Sequence, residues 1–151
     1  MSLAALTRPE LIFLDLPAGS REEVLRVFAE RLAASGLVRD GEELYQRLWE
    51  REQLGSTGIG NGVAIPHCKL PGLREGVVAV GRVPEGVDFQ AVDGRPVKVF
   101  FLVISPSEAP GEHLKILAAI SRWIRADQHA GALLEAADRE TLFHLLAAES
   151  A

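Results

Sequence analysis

Cysteine is nearly absent from this chain: among 151 residues, Cys68 is the one thiol. An intramolecular disulfide and a multi-cysteine metal site are therefore excluded, and the composition fits a reducing, cytoplasmic setting. Long apolar runs are missing too; none approaches the roughly 20 residues that a spanning helix needs, so the chain is not expected to be membrane-embedded. The first residues, M-S-L-A-A-L-T-R-P-E, lack a basic stretch followed by an apolar core, and no signal peptide is expected. Positive charge is in deficit. Sixteen Lys and Arg against 21 Asp and Glu leave a net charge of −5, which argues against nucleic acid or an anionic membrane as the main partner. Metal-site patterns such as H-E-x-x-H or H-x-H do not occur, nor does an obvious carboxylate ligand set, so neither metal nor cofactor is expected. Repeats, low-complexity tracts and linkers are also absent. What remains is one domain over residues 1–151, large enough to bury roughly 70% of its unfolded surface.

The most unusual stretch is Glu50 to Leu70, E-R-E-Q-L-G-S-T-G-I-G-N-G-V-A-I-P-H-C-K-L. Gly55, Gly58, Gly60 and Gly62 fall within eight residues, with Ser56, Thr57 and Asn61 between them. Glycine at this density lets backbone N–H groups approach a ligand, and the hydroxyls and amide add donors suited to phosphate oxygens. No G-K-[ST] follows, and Val63 stands where G-x-G-x-x-G needs its third glycine, so neither nucleotide fingerprint applies. Val63-Ala64-Ile65 reads as a buried strand that Pro66 ends, leaving His67 at its mouth. Donors for an anion beside an imidazole suggest phosphoryl chemistry on His67. Such transfer needs positioning and charge stabilisation more than acid–base help.

Around this loop the pattern alternates between strands and helices. Leu11 to Leu14 reads as an early strand. Ser20 and Glu23 form a capping box that opens a helix with Val24, Leu25, Phe28 and Leu32 at helical spacing, and Gly36 stops it. Asp40 opens a second helix with Leu44, Leu48 and Leu54 on one side. Val77 to Val80 and Val97 to Ile104 are the clearest strands, the latter apolar on both faces as a covered central strand is. Asp93-Gly94 marks a turn, and Val87 to Val92 is a candidate short strand. A long helix starts near Glu112 with Leu114, Leu117, Ser121 and Ile124 on one face and Ile116, Ile120 and Trp123 alongside. Helices over Gly131–Ala137 and Arg139–Ala148 finish the chain. The order gives an α/β fold, a three-layer αβα sandwich with a single mixed β-sheet flanked by helices.

Spacing alone reads Arg51 as an exposed helix arginine paired with neighbouring glutamates, and His113 as a solvated residue in a first helical turn. His129 and His144 carry no motif. A resemblance changes the first two. E-R-E-x-L-G-S-T-G-I-G-N-G-V-A-I-P-H resembles the active-site segment of the fructose/mannitol-type enzyme IIA domains of the bacterial phosphoenolpyruvate:sugar phosphotransferase system, a family that includes nitrogen-regulatory enzyme IIA proteins. The resemblance implies that His67 accepts a phosphoryl group from the phosphocarrier HPr and hands it to a cysteine on enzyme IIB. It makes the chain a phosphohistidine relay rather than a stand-alone turnover enzyme. It also implies that His113, in an H-L-x-x-L context, is an assisting histidine. Arg51 becomes the phosphate-side cation, with Ser56, Thr57, Gly58, Gly60 and Asn61 in the phosphate-facing loop. The alternative implied by the nitrogen-regulatory branch is a module whose phosphorylation switches its binding to regulatory protein targets. Cys68 stands where the family usually has glycine, alanine or serine. It reads as a tolerated small side chain, oxidisable only if exposed.

Overall fold

The run V-K-V-F-F-L-V-I becomes the axis of the molecule. In the computed structural model, which describes residues 2–125 and 129–147, strand β6 (Val97–Pro106) is buried at nine of its ten residues. Its alternate side chains serve opposite faces, as the two-residue period of a strand requires. Phe100, Leu102 and Ile104 join a core under helices α1 (Arg21–Ala34) and α2 (Gly41–Leu54). Val99, Phe101 and Val103 join a second core under α3 (Pro110–Arg125), α4 (His129–Glu135) and α5 (Arg139–Leu146). The expected three layers follow from that division.

Beside β6 lie the other strands of a six-stranded mixed sheet among the described residues. β5 (Val77–Val87) pairs with it antiparallel, and β1 (Ile12–Phe13) pairs parallel with the far side of β5. On the opposite edge β3 (Val63–Ala64) and then β4 (His67–Leu70) run parallel to β6, with β2 (Gly58–Gly60) outside β3.

The first two helices start as read, whereas α3 starts at Pro110, two residues before Glu112. The Ser20 hydroxyl oxygen accepts from Glu23 N–H at 3.2 Å, and Asp40 Oδ1 accepts from Glu42 and Glu43 N–H at 3.0 and 3.1 Å. The Glu23 carboxylate caps the amide of Gly19 at 3.2 Å rather than that of Ser20.

Several boundaries differ from expectation for identifiable reasons. β3 ends at Ala64, ahead of Pro66, but the Pro66 carbonyl accepts from Val103 N–H at 2.9 Å, which keeps the chain alongside β6 and places His67 on a further strand, β4, rather than at the mouth of the first. Val87 is the last residue of β5, paired with Val97 after a register shift, and residues 88–92 form no strand. Leu54, the last residue of α2, is 83% exposed, while Tyr45 and Glu52 are buried. On α3 the inward stripe is His113, Ile116, Ala119, Ile120 and Trp123, so Leu114 faces outward at 67% exposure. The fourth helix begins two residues earlier than its spacing suggests, and the expected end of the fifth at Ala148 lies outside the described residues. No helix among the described residues is long and apolar enough to cross a membrane.

Candidate functional site

Strand alternation decides what β4 presents. Cys68 and Leu70 enter the core beneath α1 and α2, which sends His67 and Lys69 to the opposite face. Register sets His67 against Val103 and Lys69 against Ser105. Beyond Pro106, α3 turns back over the sheet and sets His113 in its first turn. The two imidazoles meet there, with ring centroids 5.2 Å apart and planes inclined by 54°. Arg51 comes from the last turn of α2, where its Nη1 donates to the Gly55 carbonyl at 3.0 Å. Together these elements line an open cleft of about 600 Å³, walled by Arg51, Lys69, Leu54, Leu114 and Leu117.

Each histidine has one nitrogen occupied. His67 Nδ1 lies 2.7 Å from the Ile65 carbonyl oxygen. A carbonyl only accepts, so Nδ1 carries the proton and Nε2 keeps a free lone pair. His113, 5% exposed, places Nδ1 2.7 Å from the Ser105 hydroxyl. Burial pushes the His67 pKa below the ordinary histidine value; the Ile65 carbonyl opposes this, and the Arg51 and Lys69 charges add to it. The His113 pKa falls to about 4, from burial first and then from His67, Lys69 and Arg51. Both rings are therefore uncharged near neutral pH, beside two cations that attract an anion.

The glycine loop is placed differently from the two histidines. Glu52, buried at the end of α2, takes the Thr57 N–H on Oε2 at 2.8 Å and the Thr57 hydroxyl on Oε1 at 2.7 Å. Burial raises the Glu52 pKa despite those bonds. The Ser56 hydroxyl donates to the Phe89 carbonyl at 2.6 Å, and its oxygen accepts from Gly58 N–H at 3.0 Å. Asn61 N–H donates to Asp93 Oδ2 at 2.9 Å. Gly58 packs so closely on the next loop that a Cβ would stand 2.8 Å from that of Ala91, and Gly62 turns the chain at φ +80°. Gly60 pairs with Val63 across β2 and β3, so Ser56, Thr57, Gly58, Gly60 and Asn61 are each tied to their own chain, and none is among the residues lining the cleft around His67.

A sequence profile of the family described as "Phosphoenolpyruvate-dependent sugar phosphotransferase system, EIIA 2" matches residues 5–149. The chain belongs to that family. Within it, a nitrogen regulatory protein of Pseudomonas aeruginosa is 35% identical over 144 residues, covering 95% of this chain and 94% of its own. A fructose-specific EIIA component of the phosphotransferase system from Haloferax volcanii is 34% identical over 145 residues, covering 96% and 94%. In three dimensions the nitrogen regulatory protein IIA-Ntr of Neisseria meningitidis superposes with a TM-score of 0.87 at 31% identity, covering 95% of this chain and 98% of that one.

Several features of this cleft were not read from the sequence. Lys69 was findable, since two residues beyond His67 on a strand is the same face. In sequence Ser105 follows the apolar run and reads as the start of a loop, whereas the structure keeps it on β6. The Leu54, Leu114 and Leu117 rim reads as core by periodicity. Cys68 is buried, and burial pushes its thiol up to about 12, so it is neither a reactive thiolate nor open to ready oxidation. His129 Nδ1 is held 2.8 Å from the Trp123 carbonyl and its ring stacks on Trp123 at 4.2 Å, away from the cleft.

Proposed function

We propose that this enzyme IIA domain, read as one unit over residues 1–151, is a phosphoryl relay whose acceptor is His67 Nε2. The observation that carries this reading is the occupied Nδ1. With its proton held on the Ile65 carbonyl, 2.7 Å away, the uncharged ring offers one lone pair, and it does so beside a second imidazole in a cationic cleft. The Nε2 pair attacks phosphorus in line while the N–P bond of a phosphohistidine donor breaks, its electrons returning to the donor nitrogen. HPr is the donor implied by the family. The Nδ1 proton stays in place, so the phosphorylated ring is cationic and remains a good leaving group. A cysteine thiolate of enzyme IIB then attacks phosphorus, and the N–P electrons return to Nε2. Arg51 and Lys69 offset the phosphoryl charge, and His113 faces it as the second imidazole. Ser56, Thr57, Gly58, Gly60 and Asn61 act by bracing the chain that leads to His67. The setting is the cytoplasm, and no cofactor takes part.

A second reading has a specific observation in its favour, the near full-length match to nitrogen regulatory proteins. In it the same phosphorylation alters charge at the leucine-rimmed cleft and switches binding of regulatory protein partners. Incubation with phosphorylated HPr is expected to add about 80 Da, one phosphoryl group, as an acid-labile adduct absent from His67→Ala. An adduct that persists in that variant removes His67 from its role. Passage of the group to an enzyme IIB cysteine supports transport; retention with altered partner binding supports regulation.

A further inference from the structure

Ser105 follows six apolar residues near the end of β6 and is fully buried, at 0% exposure. A buried hydroxyl is costly unless hydrogen-bonded. Among the described residues, the side-chain oxygen of Ser105 has one hydrogen-bond partner, His113 Nδ1 at 2.7 Å. The direction of that bond decides which nitrogen of His113 carries the proton. A hydroxyl has one donor and two lone pairs. If Nδ1–H donated to Ser105, the serine proton would be left without an acceptor in apolar packing, an arrangement that folded chains avoid. If the serine donates, only lone pairs go unused. The proton of the neutral His113 ring then sits on Nε2.

We propose that Ser105 is a positioning residue: its hydroxyl donates to His113 Nδ1, fixing the ring with its Nε2–H available to an oxygen of the phosphoryl group on His67. The inference rests on the relay reading above and deepens it. The two rings then hold opposite tautomers. The Ile65 carbonyl keeps the His67 proton on Nδ1 and leaves a lone pair for phosphorus. Ser105 keeps the His113 proton on Nε2, in a ring whose centroid is 5.2 Å from that of His67, and supplies a donor for oxygen. Two bare nitrogens would instead set a lone pair against a phosphoryl oxygen. Strand register sets Ser105 beside the acceptor strand: β6 Ser105 pairs with Lys69 and β6 Val103 with His67. The serine therefore belongs to the rigid sheet that carries the acceptor, and it holds the helix-borne histidine to that sheet.

Two measurements test this. Nitrogen-15 NMR of the wild-type chain is expected to show His113 protonated on Nε2 and bare on Nδ1 at neutral pH; a proton on Nδ1 overturns the proposal without any variant being made. Ser105→Ala is expected to mix the His113 tautomers and to slow phosphoryl uptake from phosphorylated HPr roughly five- to tenfold, with Ser105→Thr restoring the rate to within about twofold. A merely space-filling serine would leave the tautomer signal unmoved. If Ser105→Ala fails to fold, the wild-type NMR result and the Ser105→Thr rate decide. A wild-type chain that takes up no phosphoryl group defeats the relay itself. One that takes it up, with Ser105→Ala equally fast and equally ordered at His113, defeats this inference alone.

Discussion

A neutral imidazole has one N–H and one lone pair, so what each nitrogen touches determines what the ring can do. His67 and His113 are both buried enough to resist protonation, and the cations near them push in the same direction. This couples the site to stability. In the unfolded chain a histidine protonates near its ordinary value of about 6.5, whereas folded His113 waits until about 4. Between those limits the unfolded state binds more protons, so stability rises with pH across that window. The histidine contribution should be fully present above pH ~6.5 and be lost progressively as pH falls towards 4. Urea midpoints at neutral pH and near pH 5 check it: the wild-type drop should shrink in His113→Gln. An unchanged drop would mean that His113 is not the group responsible. His67 was legible from the glycine loop and strand before it and His113 only through the family resemblance, while the serine that holds His113 was not legible at all. A serine at the end of V-F-F-L-V-I-S has no periodic signature, and only the fold reveals that His113 returns over it.

At the scale of elements, the junction between α2 and the glycine loop shows where sequence reading stops. Glycine density correctly marks backbone that approaches something closely. It does not show what is approached. Gly58 approaches Ala91, and the amides of Thr57 and Asn61 find Glu52 and Asp93. Asp93 lies 32 residues further along, beyond any local pattern. The helix faces fail differently: spacing gives a stripe but not which stripe the sheet covers, so Leu54 and Leu114 read as core and lie exposed. The Glu52–Thr57 tie can be weighed. Thr57→Val keeps the shape but leaves Glu52 Oε1 without its donor, and about 1–3 kcal/mol should be lost. Thermal scans should show the midpoint falling by roughly 5 °C. Phosphoryl uptake, measured where the variant is folded, should stay within about twofold. A collapse of uptake with little change in stability would instead make Thr57 a phosphate ligand.

For the whole molecule, the layered fold was legible because β6 is apolar on both faces and helical patterns flank it in sequence. Strand β4 was hidden, since H-C-K-L is too short to show its alternation beside a proline. Also hidden was the device that joins the sheet to the C-terminal helices. Arg82 lies on β5, and its Nε donates to the Leu14 carbonyl at 3.1 Å. Its Nη1 meets the carbonyls of Leu133, Leu134 and Ala136 at 3.0, 3.2 and 2.7 Å, where α4 ends. A guanidinium suits this position because it presents several donors in one plane and opposes the negative end of the helix dipole. Arg82→Met should leave those carbonyls without their charged donor and reduce stability by about 2–4 kcal/mol. The loss should be uneven. Amide exchange is expected to accelerate most in α4 and α5, less in β5 and β6, because the sheet keeps both cores while the helices lose their anchor. Arg82→Lys should recover only part, since one ammonium cannot serve Leu14 and the end of α4 together. Exchange that quickens equally everywhere, or a lysine as good as the arginine, would show that Arg82 contributes charge alone and that α4 is held by its buried Leu133.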